Sequence, residues 1–177
     1  MNHLNDEQTK NDSRREELEE KIDDMEQYQP RLCLRINGIQ CSADETAEDC
    51  LEKVKSLFKA ELNMEIPELA IDRAHRIGRV SHAENGKKYQ SIIVRFTTWR
   101  FRTQVFKARK KTTKFKIHLD LTRKRIKLLA KANGILHDHE DFFAMVDINC
   151  RLCVKLEENR FHYFRSETEL IELLKYV

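Results

Sequence analysis

Between residues 100 and 131 the chain carries thirteen lysines and arginines against a single carboxylate, Asp120, for a local net charge of +12. Cations gathered this densely cannot neutralise one another. The chemistry they offer is the capture of a polyanion, most often nucleic acid; the bland alternative is a highly charged, solvated helix pair. The flanks have the opposite sign, with a net −6 over residues 1–30 and −4 over residues 137–177. Further arginines stand in Arg31-Leu-Cys-Leu-Arg-Ile-Asn-Gly-Ile39 and in Ile71-Asp-Arg-Ala-His-Arg-Ile-Gly-Arg79.

Other chemistries have weaker support. Cys150-Arg-Leu-Cys153 has the spacing of half a zinc site, but no second pair follows at a suitable distance, so ordinary thiols are expected. His137-Asp-His139-Glu-Asp141 reads as a solvated loop rather than a metal site. No glycine-rich phosphate loop, nucleophile elbow or paired-carboxylate motif occurs, so the expectation is a protein without enzymatic activity, cofactor or metal. Phe142 and Phe143 read as core rather than as a base-stacking pair. Five unpatterned cysteines suit a reducing compartment.

At 177 residues, 40% hydrophobic and 36% charged, the chain has room for one domain or two small ones and can build a core. No apolar run reaches the roughly 20 residues of a membrane helix. The start, Met-Asn-His-Leu-Asn-Asp-Glu, has no signal-peptide pattern, so a soluble intracellular protein is expected.

These cations need elements to position them. Leu32, Leu34 and Ile36 alternate with Arg31, Cys33 and Arg35, which predicts a half-buried strand closed by Asn37-Gly38. Ser42 and Glu45 have capping-box spacing and predict a helix from about residue 44, with Ala47, Leu51, Val54, Phe58 and Leu62 on its apolar face. Leu69–Arg79 and Lys88–Trp99 read as strands around an Asn85-Gly86 hairpin, the latter burying Ile92, Val94 and Phe96. Phe101, Val105 and Ala108 mark a second helix with Arg and Lys outside. Phe115, Ile117 and Leu119 then alternate with Lys114, Lys116 and His118 as a fourth strand. The order βαββαβ is that of the ferredoxin-like fold. With both helices on one face, the other stays open and receives Arg31, Cys33, Arg35, Ser91, Ile93, Arg95, Lys116 and His118. An RNA-recognition domain uses this architecture with stacking aromatics on its central strands. Here Arg35, Ser91 and Ile93 stand in the aromatic places, which predicts backbone gripping with little sequence preference.

Asp120 or Thr122 can cap a further helix ending at Asn133-Gly134, with Ile126, Leu129 and Ala130 as its core face. Phe142–Ile148 and Leu152–Leu156 read as strands, and Phe161 with Tyr163 begins a return strand. Ser166 and Glu169 cap a last helix with Leu170, Leu173 and Leu174 inward. A lobe of roughly 57 residues would be marginal alone, so it is expected to pack on the preceding unit and form a cleft lined by residues 107–125. At the other end, Leu4, Asn11, Leu18 and Met25 fall at one heptad position and Ile22 at a second. This is either the end of a coiled coil or a frayed acidic tail.

Leu34-Arg-Ile-Asn-Gly38, Ala74-His-Arg-Ile-Gly-Arg79, Ile92-Ile-Val-Arg-Phe96, Asp120-Leu-Thr122 and His162-Tyr-Phe164, in this order after a coiled-coil end, resemble the first open-reading-frame protein of LINE-type non-LTR retrotransposons. The similarity covers roughly residues 18–177. It implies an α+β chain of three parts: a coiled-coil end at 1–29, an RNA-recognition-type domain at 30–120 and a small α/β C-terminal domain at 121–177. It further implies a homotrimer that binds single-stranded RNA and DNA as a nucleic-acid chaperone in cytoplasmic ribonucleoprotein particles, with access to the nucleus. By position, Arg35, Arg76 and Arg79 match the family's strand arginines. Lys107, Arg109 and Lys110 match its basic flanking helix, and Arg123 and Arg125 fall in the first helix of the C-terminal domain. With Arg31, Arg73, Arg95 and Lys116 these form the expected nucleic-acid site. Leu4, Leu18, Ile22 and Met25 form the expected oligomer seam. The connection 109–116 and the coiled coil are shorter than in the family. The rival reading is a coiled-coil adaptor whose basic surface meets an acidic protein.

Overall fold

A computed structural model describes residues 2–42, 44–138, 142–157 and 160–175, with backbone alone for residues 2–6, 138, 156 and 157. The chain is mixed α+β, with a long N-terminal helix and two antiparallel sheets. It divides into two compact units: Pro30–Asp120, and Met1–Gln29 together with Leu121–Val177.

The 30–120 unit runs β1 (Cys33–Asn37), α2 (Ala47–Leu62), β2 (Ile71–His82), β3 (Lys88–Phe96), α3 (Trp99–Ala108) and β4 (Lys116–Leu119), following α1 (Asn2–Tyr28) of the other unit. Its sheet has the order β2-β3-β1-β4, antiparallel throughout, so β1 and β3 are central. Leu34, Ile36, Ile92, Val94 and Phe96 are fully buried on one face, with Val54, Phe58 and Leu62 of α2 and Val105 of α3. Each such side chain contributes about 1.5–3 kcal/mol by leaving water, so this unit holds a substantial core.

Helix α2 begins three residues later than the Ser42/Glu45 spacing predicts. Thr46 is the N-cap, accepting from Asp49 N–H, while the Asp49 carboxylate accepts the Thr46 N–H at 2.9 Å. The capping box is Thr46/Asp49 because Glu45 has other partners, described below. The apolar face shifts accordingly, and Cys50 is buried where Ala47 is exposed. Helix α3 departs further: Arg102, expected outside, is fully buried, and Thr103, Val105 and Phe106 are buried beside it in the sequence. Its guanidinium carbon lies 5.6 Å from the centre of the Phe106 ring.

In the other unit, α4 (Arg123–Ile135) and α5 (Glu167–Leu174) lie with a sheet of β5 (Phe143–Val146), β6 (Leu152–Glu157) and β7 (Arg160–Tyr163), in that order. Thr122 caps α4 and Ser166 caps α5. Gly134 does not stop α4, which continues through Ile135 into a 3-10 turn. The buried face of α4 is Ala132 with the following Leu136, whereas Ile126 and Ala130 are exposed. The core joins them to Ala144, Leu152, Val154, Phe164 and Leu170, with Leu173 and Leu174 packed at its edge.

Candidate nucleic-acid interface

Strand alternation and cross-strand register assign the cations paired in the four strands to a face. Arg73 stands opposite Arg95, and Arg95 opposite Cys33. The next row reads His75, Ile93, Arg35, His118 across all four strands. Beyond it Ile77 pairs with Ser91, and Asn37 with Lys116. The face away from the helices therefore carries Arg73, Arg95, Arg35 and Lys116 with two histidines, and no Phe, Tyr or Trp in these rows. Like charges face each other across β2 and β3, and the Asp72 carboxylate lies 3.6 Å from Arg95 Nε.

Arg35 is half-buried, and its Nε donates to Asp120 Oδ1 at 2.6 Å. Asp120, the one acid of the basic block, orients the first-strand arginine. Cys33 is buried beside it; burial and then the Asp120 charge push its thiol up to about 11, so it stays protonated at neutral pH. His118 lies in a shallow groove with Phe106, Arg109, Thr112 and Lys116. Burial, then the charges of Lys116 and Arg109, hold its imidazole below the ordinary value. Arg109 lies flat on Phe106, 3.9 Å from the ring centre, and donates to Phe106 O at 2.8 Å. An arginine fixed this way is a preorganised anion contact. Lys107 and Lys110 are exposed nearby in sequence, at the end of α3 and in the 3-10 turn Arg109–Lys111. Arg31 is exposed in the 3-10 turn preceding β1. Arg79 is exposed just beyond Gly78, whose φ of +80° accompanies a register break in β2.

Arg76 is elsewhere. It pairs with the buried Ile92, on the helix side of the sheet. Its Nε donates to Glu45 Oε2 at 2.6 Å, and its other nitrogens to the carbonyls of Ile39 (2.9 Å), Gln40 (2.7 Å) and Gln90 (2.5 Å). Lys53 binds the other Glu45 oxygen. Burial raises the Glu45 carboxyl, but these hydrogen bonds outweigh it and hold the group below its usual value. Arg76 is a structural clamp between the end of β1, the start of α2 and β3, and its guanidinium does not face the open sheet.

In the second unit Arg123 is exposed but Arg125 is not. Arg125 donates to Asp23 at 2.7 Å, Asp24 at 2.6 Å and Cys150 O at 2.9 Å. Thr122 N–H donates to Gln27 Oε1 at 2.9 Å, and its hydroxyl donates to Asp23. Helix α4 has no acid in its own first turn. Asp23 of α1 thus supplies the negative charge its N-terminus favours. Helix α1 buries the polar Asp23 and Gln27 while Leu18, Ile22 and Met25 are 52%, 54% and 76% exposed. The side chain of Leu4 lies outside the described residues.

Among the described residues, Arg73, Arg79, Lys107, Lys110, Lys116 and Arg123 have no carboxylate partner, in contrast to Arg76 and Arg125. Phe143, expected in the core, faces outward at 49% exposure, because Ala144 takes the inward position. Cys150 and Cys153 are buried, Cys150 at a turn with φ of +66°. His137 is exposed, and residues 139–141 lie outside the described residues. Among the described residues no helix is long and apolar enough to cross a membrane. No protein-family model matches the chain, and no curated protein gives a significant match.

Proposed function

We propose that the protein binds single-stranded RNA and DNA with little sequence preference and acts as a nucleic-acid chaperone, as the resemblance to retrotransposon first-open-reading-frame proteins implies. On this reading the 30–120 unit is an RNA-recognition-type domain of the ferredoxin-like fold, and the βαββαβ order with β1 and β3 central supports it. The carrying observation is the open sheet face, where Arg73, Arg95, Arg35 and Lys116 converge from four strands in rows that hold no aromatic. Such a surface grips phosphates rather than reading bases, and salt-screened contacts let strands rearrange. Filter binding to a roughly 30-nucleotide RNA tests this: retention at about 50 mM salt is expected, and its absence overturns the proposal.

His118 adds a pH arm to that assay. Its depressed pKa leaves it neutral at pH 7. A phosphate in the groove favours the imidazolium, so binding takes up a proton, and affinity rises as the pH falls from about 7.5 to about 5.5. His118→Gln should flatten this rise; an unchanged profile removes His118 from the site.

Self-association through α1 belongs to the same proposal. A helix that buries Asp23 and Gln27 while exposing Leu18, Ile22 and Met25 has an apolar stripe to cover, as in a coiled-coil homotrimer. Sedimentation should give a lighter species for Ile22→Asp than for the parent chain. A monomeric parent overturns this part.

A further inference from the structure

The cation rows of the four-stranded sheet hold no aromatic, but the three-stranded sheet carries Phe143, Phe161 and Tyr163. Helices α4 and α5 pack on its inner face through Ala144, Leu152 and Val154. On the outer face Phe143 pairs with Lys155, and Lys155 with Phe161. The next row is Met145, Cys153, Tyr163. Phe143, Phe161 and Tyr163 are 49%, 47% and 47% exposed, although the unit has an interior in which aromatics could be buried. Arg151 lies over Tyr163, its guanidinium carbon 4.1 Å from the ring centre, and donates to the Tyr163 hydroxyl at 3.0 Å. Arg151 Nε donates to Asp147 Oδ2 at 2.9 Å.

We infer that this outer face is a base-stacking platform for single-stranded nucleic acid. Phe143 and Phe161 flank Lys155 one strand to each side, about 4.8 Å per step. This alternation of ring, cation and ring offers two stacking surfaces with a phosphate contact between them. Phe161 and Tyr163, two residues apart on β7, stand about 6.6 Å apart, and the fixed Arg151 guanidinium extends the stack beyond Tyr163. Cations interleaved with half-exposed rings suit bases joined by phosphates, since every base has a π-face. A purely apolar protein partner would leave Lys155 buried without a counter-charge. Phosphate grip and base stacking are thereby divided between two sheets. The inference rests on the proposed nucleic-acid binding and adds a site to it.

The test uses the full chain and two fluorescently labelled 20-nucleotide single strands in anisotropy titrations, one intact and one abasic with the same phosphates. The intact strand should bind about tenfold or more tightly, since each stacked base contributes at that level. A Phe161→Leu/Tyr163→Leu variant keeps apolar bulk without the rings and should lose most of that advantage while retaining abasic binding. Equal binding of the two strands overturns the platform and leaves phosphate binding intact. An advantage that persists in the variant likewise overturns it. If neither strand binds, the proposed function falls with it. If the variant changes only sedimentation, the face is a contact between copies and the inference is wrong.

Discussion

Arg76→Ala is expected to lower the stability of the chain by about 3 kcal/mol, although the resemblance to retrotransposon proteins implies a place for it among the nucleic-acid-binding arginines. The substitution removes one of the two cations on Glu45 inside a pair whose side chains are 12% and 5% exposed, leaving Lys53 on the other oxygen, and it takes a charged donor from three carbonyls. Breaking a buried ion pair from one side costs about 3–5 kcal/mol, a large fraction of the roughly 5–15 kcal/mol that holds a domain together. Urea unfolding followed by Trp99 fluorescence measures it. Because the Glu45 carboxyl sits below its ordinary 4.5, its contribution is present above that pH and lost as the pH falls through the folded-state value. The cost of Arg76→Ala should therefore shrink in acid. Affinity for RNA, per folded molecule, should be unchanged. A stable variant with lost binding would return Arg76 to the interface.

Reversing Lys107, Lys110 and Lys116 together to Glu should act in the opposite way, sparing the fold and removing the binding. All three are exposed and, among the described residues, have no carboxylate partner. Among the described residues they make no side-chain hydrogen bond that the change would remove. Affinity for a single-stranded RNA should fall by about a hundredfold or more near 100 mM salt, and the slope of log affinity against log salt should flatten by about 2, at about 0.7 per lost phosphate contact. Filter binding across a salt series reads both quantities. An unchanged slope would show that the basic segment only solvates the surface.

Much of the 30–120 unit is legible without coordinates because its strands alternate cleanly. Leu34 and Ile36, like Ile92, Val94 and Phe96, alternate at period 2 and lie on the buried face. The same rule puts Arg76 on the helix side, two residues beyond the buried Ala74, against the place that the resemblance implies for it. The α2 start could not be chosen locally. Ser42/Glu45 and Thr46/Asp49 both have box spacing, and Glu45 is removed from the competition by Arg76, 31 residues away. The outward aromatics were missed for a related reason: Phe142-Phe143 is an apolar pair, and which ring turns in depends on the register with β6.

What the sequence determines by itself is local: the elements, the period-2 faces, the thirteen-cation block and its contrast with the acidic first 30 residues. Composition makes a polyanion partner the leading expectation because charge density needs no fold to be counted. What only the tertiary structure decides is which cations are available. Arg76 and Arg125 differ from Arg73 and Arg123 in no property of residue type; they differ in having Glu45, Asp23 and Asp24 brought to them from distant parts of the chain. A guanidinium whose three nitrogens are all engaged by carboxylates and carbonyls, as in Arg76 and Arg125, has little left to offer a phosphate, whereas Arg35 gives Asp120 its Nε; that distinction exists only once the chain has folded.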